Sequence, residues 1–187
     1  MLEEKLKLII KKNNNISFSD YMEIVLFDKE FGFYEKEHVL GKKGHFITSP
    51  LVSENFSHCI AKNYMHVVNQ EMISNIVELG AGNAELASNL VLYLRNKNSL
   101  PKRYYFLEKS SQLVNKQKEV IDDLNIKEEV EFIWVDKYED LPNEAFIIAN
   151  ELLDCIPTDL VRYKDSHYQK AYFNENLQIL WKEYDLF

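Results

Sequence analysis

The residues best suited to chemistry lie in Ile76-Val77-Glu78-Leu79-Gly80-Ala81-Gly82-Asn83-Ala84, where an apolar strand breaks into a glycine turn and then a helix. Gly80 and Gly82 let backbone come against a bound nucleoside, because a side chain would forbid the dihedrals and the approach distance. The next strand, Tyr104-Tyr105-Phe106-Leu107, ends in Glu108. A carboxylate there is placed to accept hydrogen bonds from ribose hydroxyls. Such turns also serve plain strand–helix packing. The strand before, the helix after and the acid at the next strand end weigh toward an adenosine-containing cofactor.

The turn also narrows which cofactor. Dinucleotide-binding chains place three glycines here, so that a pyrophosphate rests on the helix N-terminus. This chain has Ala84 in the third position, and Glu78 stands just before the turn. A carboxylate repels pyrophosphate but holds a cationic amino group. The pattern therefore favours S-adenosyl-L-methionine, with its zwitterionic end and its sulfonium, over NAD or FAD. Ala81 shares the cofactor loop. Trp134 and Val135, ending the third strand, either flank an adenine ring or belong to the core.

A second cluster, Asn150-Glu151-Leu152-Leu153-Asp154, follows the fourth strand. Carboxyl ends of parallel strands are where open α/β sheets bind ligands. Asn150, Glu151 and Asp154 suit a cationic methyl acceptor, in an in-line displacement where the protein supplies orientation and dehydration. The same acids also suit a solvated helix start. The five histidines, His38, His45, His58, His66 and His167, show no metal spacing and read as surface or loop residues; no metal site is expected.

These groups need elements to hold them. From Ile76 onward strands and helices alternate, with apolar faces at Leu86, Leu90, Val91 and Leu94, and at Leu113, Val114, Gln117, Val120, Ile121 and Leu124. Further strands are expected over residues 130–135 and 145–149. The alternation implies a parallel sheet with right-handed crossovers. The strand over 145–149 is apolar on both faces, which suits a central position. Two helices open the chain, on stripes Leu2, Leu6, Ile9, Ile10 and Phe18, Met22, Val25, Leu26, with Ser17 or Ser19 as a cap. A third starts near Ser53, with Phe56, Ile60, Tyr64, Val67 and Val68 on one face. Residues 160–181 read as an antiparallel meander turning at Asp165-Ser166 and Asn174-Glu175-Asn176. The expected organisation is a helical and lid segment over 1–72, and a partial α/β domain with a terminal meander over 73–187.

Composition bounds the rest. At 187 residues the chain suits one ordinary domain. Its 22 basic and 30 acidic residues give a formal charge of −8, which disfavours a general nucleic-acid binder. No apolar run approaches the roughly 20 residues of a membrane span. Two isolated thiols, Cys59 and Cys155, point to a reducing compartment, and the acid-bearing first residues lack the character of a signal or transit peptide. Cytoplasmic placement is the expectation.

FSDYMEIVLFDKEFGFY, GKKGHFITSPLVSENF, IVELGAGNAELA, YYFLEKSSQLVNKQ and FIIANELLDCIP occur here in one order. That order resembles the N-terminal half of the MidA family of class I S-adenosylmethionine-dependent methyltransferases, whose mitochondrial member methylates an arginine of a respiratory complex I subunit. The resemblance implies a Rossmann-like α/β methyltransferase fold, apparently incomplete, with N-terminal helices and a C-terminal β meander. It implies a protein substrate, as in a respiratory complex, and a cationic nitrogen as acceptor. Glu78, Gly80 and Gly82 would form the cofactor loop, Glu108 would bind ribose, and Asn150, Glu151 and Asp154 would line the transfer cleft. Gly44, Thr48, Ser49, Pro50 and Ser53 would form a lid-like loop.

Departures from the family are His45 for Asp, Leu51 for Glu, Ala84 for Gly, and a length about half that of its members. The absent half would supply the remaining strands. An apolar strand over 145–149 with an uncovered edge invites pairing. Residues 160–184 folding back over it, self-association or a partner chain completing the sheet, and truncation are the alternatives. A truncated, non-catalytic binding or assembly module is the rival function.

Overall fold

A computed structural model describes residues 1–36, 54–71 and 73–185. The expected lid residues Gly44, Thr48, Ser49, Pro50 and Ser53 lie outside them. The chain divides into two compact units, Glu37–Leu152 and a unit joining Met1–Lys36 to Leu153–Phe187. That division differs from a boundary at residue 72. The N-terminal segment is completed by the tail, and the helix before residue 72 belongs with the parallel sheet.

The unit spanning Glu37–Leu152 holds helix α3 (Glu54–Glu71), strand β2 (Asn75–Leu79), α4 (Glu85–Asn96), β3 (Arg103–Leu107), α5 (Ser111–Asp123), β4 (Glu131–Val135) and β5 (Phe146–Ile148). The four strands are parallel, in the order β4-β3-β2-β5. Alternation puts Ile76, Glu78, Tyr104, Phe106, Phe132, Trp134, Phe146 and Ile148 on one sheet face. The aliphatic stripe of α4, with Leu86, Leu90, Val91 and Leu94 all buried as expected, packs there with Tyr64 of α3 and Ile121 of α5. Aromatic rings continue the layer: Phe106 stacks on Trp134, with centroids 5.0 Å apart. His58 is half-buried on α3 beside Tyr93 and His66 lies on the same helix, so neither is a loop residue.

The strand over 145–149 corrects an expectation. It is an edge strand among the described residues, pairing only with β2, and Ile147 on its second face is 60% exposed. Apolarity on both faces is a statement about side chains; which edges are paired depends on segments far away in sequence. Residues 160–184 belong to a separate sheet.

Those residues form the meander β6 (Val161–Lys164), β7 (His167–Phe173) and β8 (Ile179–Glu183) in the other unit. Asp165 and Ser166 turn the first hairpin at φ 51 and 68, the positive pair that suits the twist of two-residue hairpins. The last residues of β7 pair with β1 (Ile16–Ser17), a two-residue strand too short to be read from pattern. Helices α1 (Leu2–Asn13) and α2 (Phe18–Phe27) flank β1. Ser17 caps α2, its Oγ accepting from the Asp20 amide at 3.0 Å. Leu6, Ile10, Ile16 and Phe173 form this unit's own core.

Candidate cofactor site

Strands β2, β3 and β4 step outward in one direction, and β5 returns to the other side of β2. The order reverses between β2 and β5, and the carboxyl ends of strands at such a reversal are the place where open α/β sheets take ligands. Glu78, Leu79 and Gly80 end β2 there, and Ala149, Asn150 and Glu151 follow β5 on the far side of the reversal.

The turn after β2 is built for close approach. Gly80, Gly82 and Ala84 all have positive φ, at 67, 56 and 61. The Gly80 amide donates to the Leu107 carbonyl at 3.0 Å, and the Ala84 amide to the Ala81 carbonyl at 2.9 Å, which folds the loop onto the start of α4. A Cβ added at Gly80 would sit 2.8 Å from Leu152 Cδ1. Ala84 takes the left-handed dihedral that a third glycine would take freely, at a strain of about 1–2 kcal/mol. The turn thus keeps its shape without that glycine.

Two carboxyls frame the turn. Glu78 faces the helix-covered layer, 3% exposed, and its Oε2 accepts from the Tyr104 hydroxyl at 2.6 Å. Burial drives its pKa up to about 7; the Tyr104 hydrogen bond opposes this, and the charge of Glu108 adds to it. Tyr104 is held well above its ordinary value by the same burial and by Glu78, so it stays a neutral donor. The Tyr104 hydroxyl is the neighbour that offsets part of the desolvation of this buried carboxyl.

Glu108 is clamped rather than buried in hydrocarbon. Its Oε1 accepts from the backbone amides of Lys109 and Ser110, at 2.9 and 3.0 Å. Its Oε2 accepts from Gln117 Nε2 at 3.1 Å. Ser110 in turn caps α5 by accepting from the Leu113 amide. The Glu108 amide donates to the Val135 carbonyl at 3.3 Å, tying the end of β4 to the same place. Trp134 Nε1 donates to Gln117 Oε1 at 3.0 Å. Glu78, Gly80, Ala81, Gly82, Glu108, Trp134 and Val135 therefore lie at the carboxyl ends of three neighbouring strands, β2, β3 and β4.

The second expected cluster is divided. Asn150 and Glu151 follow β5, and Glu151 is exposed with φ 51, a dihedral unusual for a glutamate. Asp154 falls in the short turn Leu153–Cys155 of the other unit and is exposed. Sequence reading missed Tyr104 and Gln117 as members of the site. Gln117 had a signal: it is an amide in the middle of an apolar helical stripe.

The residues present fit the family's cofactor: a side-chain-free turn at the strand reversal, a buried acid for an ammonium, and a rigid acid for hydroxyls. Among the described residues no cluster of three or more His, Cys, Asp or Glu is arranged to hold a metal, and no helix is long and apolar enough to cross a membrane.

Comparison with known proteins bears on the same conclusion. Residues 56–183 match the family described as "Putative S-adenosyl-L-methionine-dependent methyltransferase". A Caenorhabditis elegans protein named protein arginine methyltransferase NDUFAF7 homolog, mitochondrial, is 25% identical over 88% of this chain and 44% of its own length. The Xenopus laevis protein arginine methyltransferase NDUFAF7, mitochondrial, is 27% identical over 79% of this chain and 39% of its own. The chain thus spans less than half the length of these relatives. A crystal structure from Burkholderia thailandensis, bound to S-adenosyl-homocysteine, superposes with a TM-score of 0.83 at 23% identity, over 99% of this chain and 50% of that one. The fold is that of this structure.

Proposed function

We propose, on the premise that this chain belongs to that family of S-adenosyl-L-methionine-dependent methyltransferases, that it takes part in methylating a protein arginine or a similar cationic nitrogen. The observation that carries the reading is the pair Glu78 and Glu108 around a glycine turn at the strand reversal. Glu78, once ionised, holds the amino group of the cofactor, Glu108 accepts from its ribose, and Gly80 and Gly82 leave the space between them. When bound, the cofactor supplies a methyl group on a sulfonium that leaves as a neutral thioether. The names of the relatives support arginine as acceptor.

Arginine arrives protonated, with no nitrogen lone pair ready. A carboxylate that hydrogen-bonds the guanidinium aligns one nitrogen and accepts the proton that leaves as the new N–C bond forms. Glu151 is the residue assigned this task, at the end of β5 across the strand reversal from Glu78. Asn150 would orient the same group; Asp154 has its role only through the family resemblance.

A second reading is favoured by β5, which among the described residues pairs only with β2. In it the chain is a binding or assembly module, or needs a partner along the outer edge of β5. A protein substrate is common to both readings. We also propose a reducing compartment such as the cytoplasm, on the sequence ground of two isolated thiols, Cys59 and Cys155.

Isothermal titration with S-adenosyl-homocysteine, followed by transfer of labelled methyl to arginine-containing proteins, tests these. Binding with transfer, lost in Glu151→Gln while ligand affinity stays within a few-fold, upholds the enzyme. Binding without transfer at any partner concentration upholds the module. Absence of binding removes the enzyme and leaves the module.

A further inference from the structure

Gln117 ties together three parts of the candidate site. Its side chain is fully buried on α5. Nε2 donates to the Gly82 carbonyl at 2.9 Å and to Glu108 Oε2 at 3.1 Å, and Oε1 accepts from Trp134 Nε1 at 3.0 Å. Both amide hydrogens and the carbonyl are thereby used. The orientation admits one solution. Reversing the amide would set its oxygen against a carbonyl and a carboxylate, and its hydrogens against an indole N–H.

We propose that Gln117 is the positioning residue of the nucleoside half of this site: it fixes the plane of the Glu108 carboxylate and the carbonyl of Gly82, so that ribose hydroxyls meet a preset acceptor. The inference rests on the cofactor reading above. Glu108 is held on one oxygen by two backbone amides, which cannot be removed by substitution, and on the other by Gln117. Without Gln117 the carboxylate keeps its place in the chain but loses one of the bonds that set its plane. The Gly82 carbonyl loses its buried donor too, and with it a restraint on the turn. Trp134, still stacked on Phe106 and under Lys118 Nζ, then loses the acceptor of its indole N–H. A purely structural glutamine would affect all ligands of the site alike. A positioning glutamine affects those that carry the ribose hydroxyls.

The test is a cycle between side chain and ligand. Affinities of the wild-type chain and Gln117→Leu are measured by titration for S-adenosyl-homocysteine and for its analogue lacking both ribose hydroxyls. A hydrogen bond to a charged group lost at a buried site corresponds to a roughly ten- to hundredfold weaker affinity. We expect that loss for S-adenosyl-homocysteine, and a difference between the two proteins of no more than about threefold for the analogue. Gln117→Met, unbranched and similar in length, carries the same measurement if the leucine variant unfolds. In a Trp181→Phe background, the emission of Trp134 should shift in either variant before any ligand is added. An equal loss for both ligands, or none for either, overturns the positioning role while leaving the cofactor reading intact. A wild-type chain that binds neither ligand removes the cofactor reading, and the positioning role with it.

Discussion

Glu78→Gln separates the cost of the buried acid from its use. The carboxyl is displaced from 4.5 to about 7 by burial and by the charge of Glu108, against the hydrogen bond from Tyr104. That displacement corresponds to about 3 kcal/mol between its protonation states. The folded chain holds this proton more tightly than the unfolded chain does. Its contribution to stability is therefore fully present below pH 4.5 and is lost as pH rises to about 7. Above that, the fold carries a desolvated anion. The glutamine variant keeps an acceptor for Tyr104 and has no charge to desolvate. Urea unfolding at pH 5 and pH 8 should show the variant gaining on the wild type by up to ~3 kcal/mol at the higher pH, a difference in which the other titrating groups cancel.

Ligand binding should run the opposite way. The amino group of S-adenosyl-homocysteine needs the ionised carboxyl, so binding below pH 7 must expel the proton. Wild-type affinity should rise roughly tenfold from pH 6 to pH 8, with close to one proton released per ligand at pH 6 when titrated in buffers of different ionisation heat. Glu78→Gln should bind more weakly, with no such slope. Glu108→Gln should keep the slope and move its midpoint down, because the charge that helps hold Glu78 up is gone. A wild-type affinity that changes less than about twofold over this range, without proton release, would refute the assignment of Glu78 to the amino group.

Three further outcomes follow from the geometry. Gly80→Val places a branched side chain at φ 67 and against Leu152, so it should abolish S-adenosyl-homocysteine binding by calorimetry while the far-ultraviolet circular dichroism stays near wild type. Leu90→Ala, in the fully buried stripe of α4, should cost about 2–5 kcal/mol in urea unfolding, and a loss below about 1 kcal/mol would mean that the helix is not packed as described. Ser166→Gly relieves a positive φ of 68 in the β6–β7 turn and should stabilise the chain by up to about 1 kcal/mol, read from the thermal midpoint.

What the sequence discloses about this chain is set by how local each cause is. The strand, turn and helix around Gly80 lie within one short run, and alternation, glycine and the following stripe act on neighbours; that unit could be read directly. The stripe on α4 declares itself the same way, since Leu86, Leu90, Val91 and Leu94 fall on one face by helical spacing alone. Edge and partner relations have no such local cause. Ile16 and Ser17 become a strand only because Phe173 and Tyr172 arrive beside them from the far end of the chain. The 145–149 segment is an edge for want of a neighbour that its own residues cannot specify. Between these extremes stands Gln117. A buried amide in an apolar stripe is costly unless every polar atom is satisfied. Its presence at the stripe position thus announces that polar groups must meet it from other elements, though the stripe does not say which. Here they are Gly82, Glu108 and the indole of Trp134, and all three were candidates for the cofactor site on the sequence alone, Trp134 with a core role as its alternative. A polar residue that breaks an apolar pattern and then proves satisfied by residues already assigned to one ligand is a sharper pointer to a site than either fact alone.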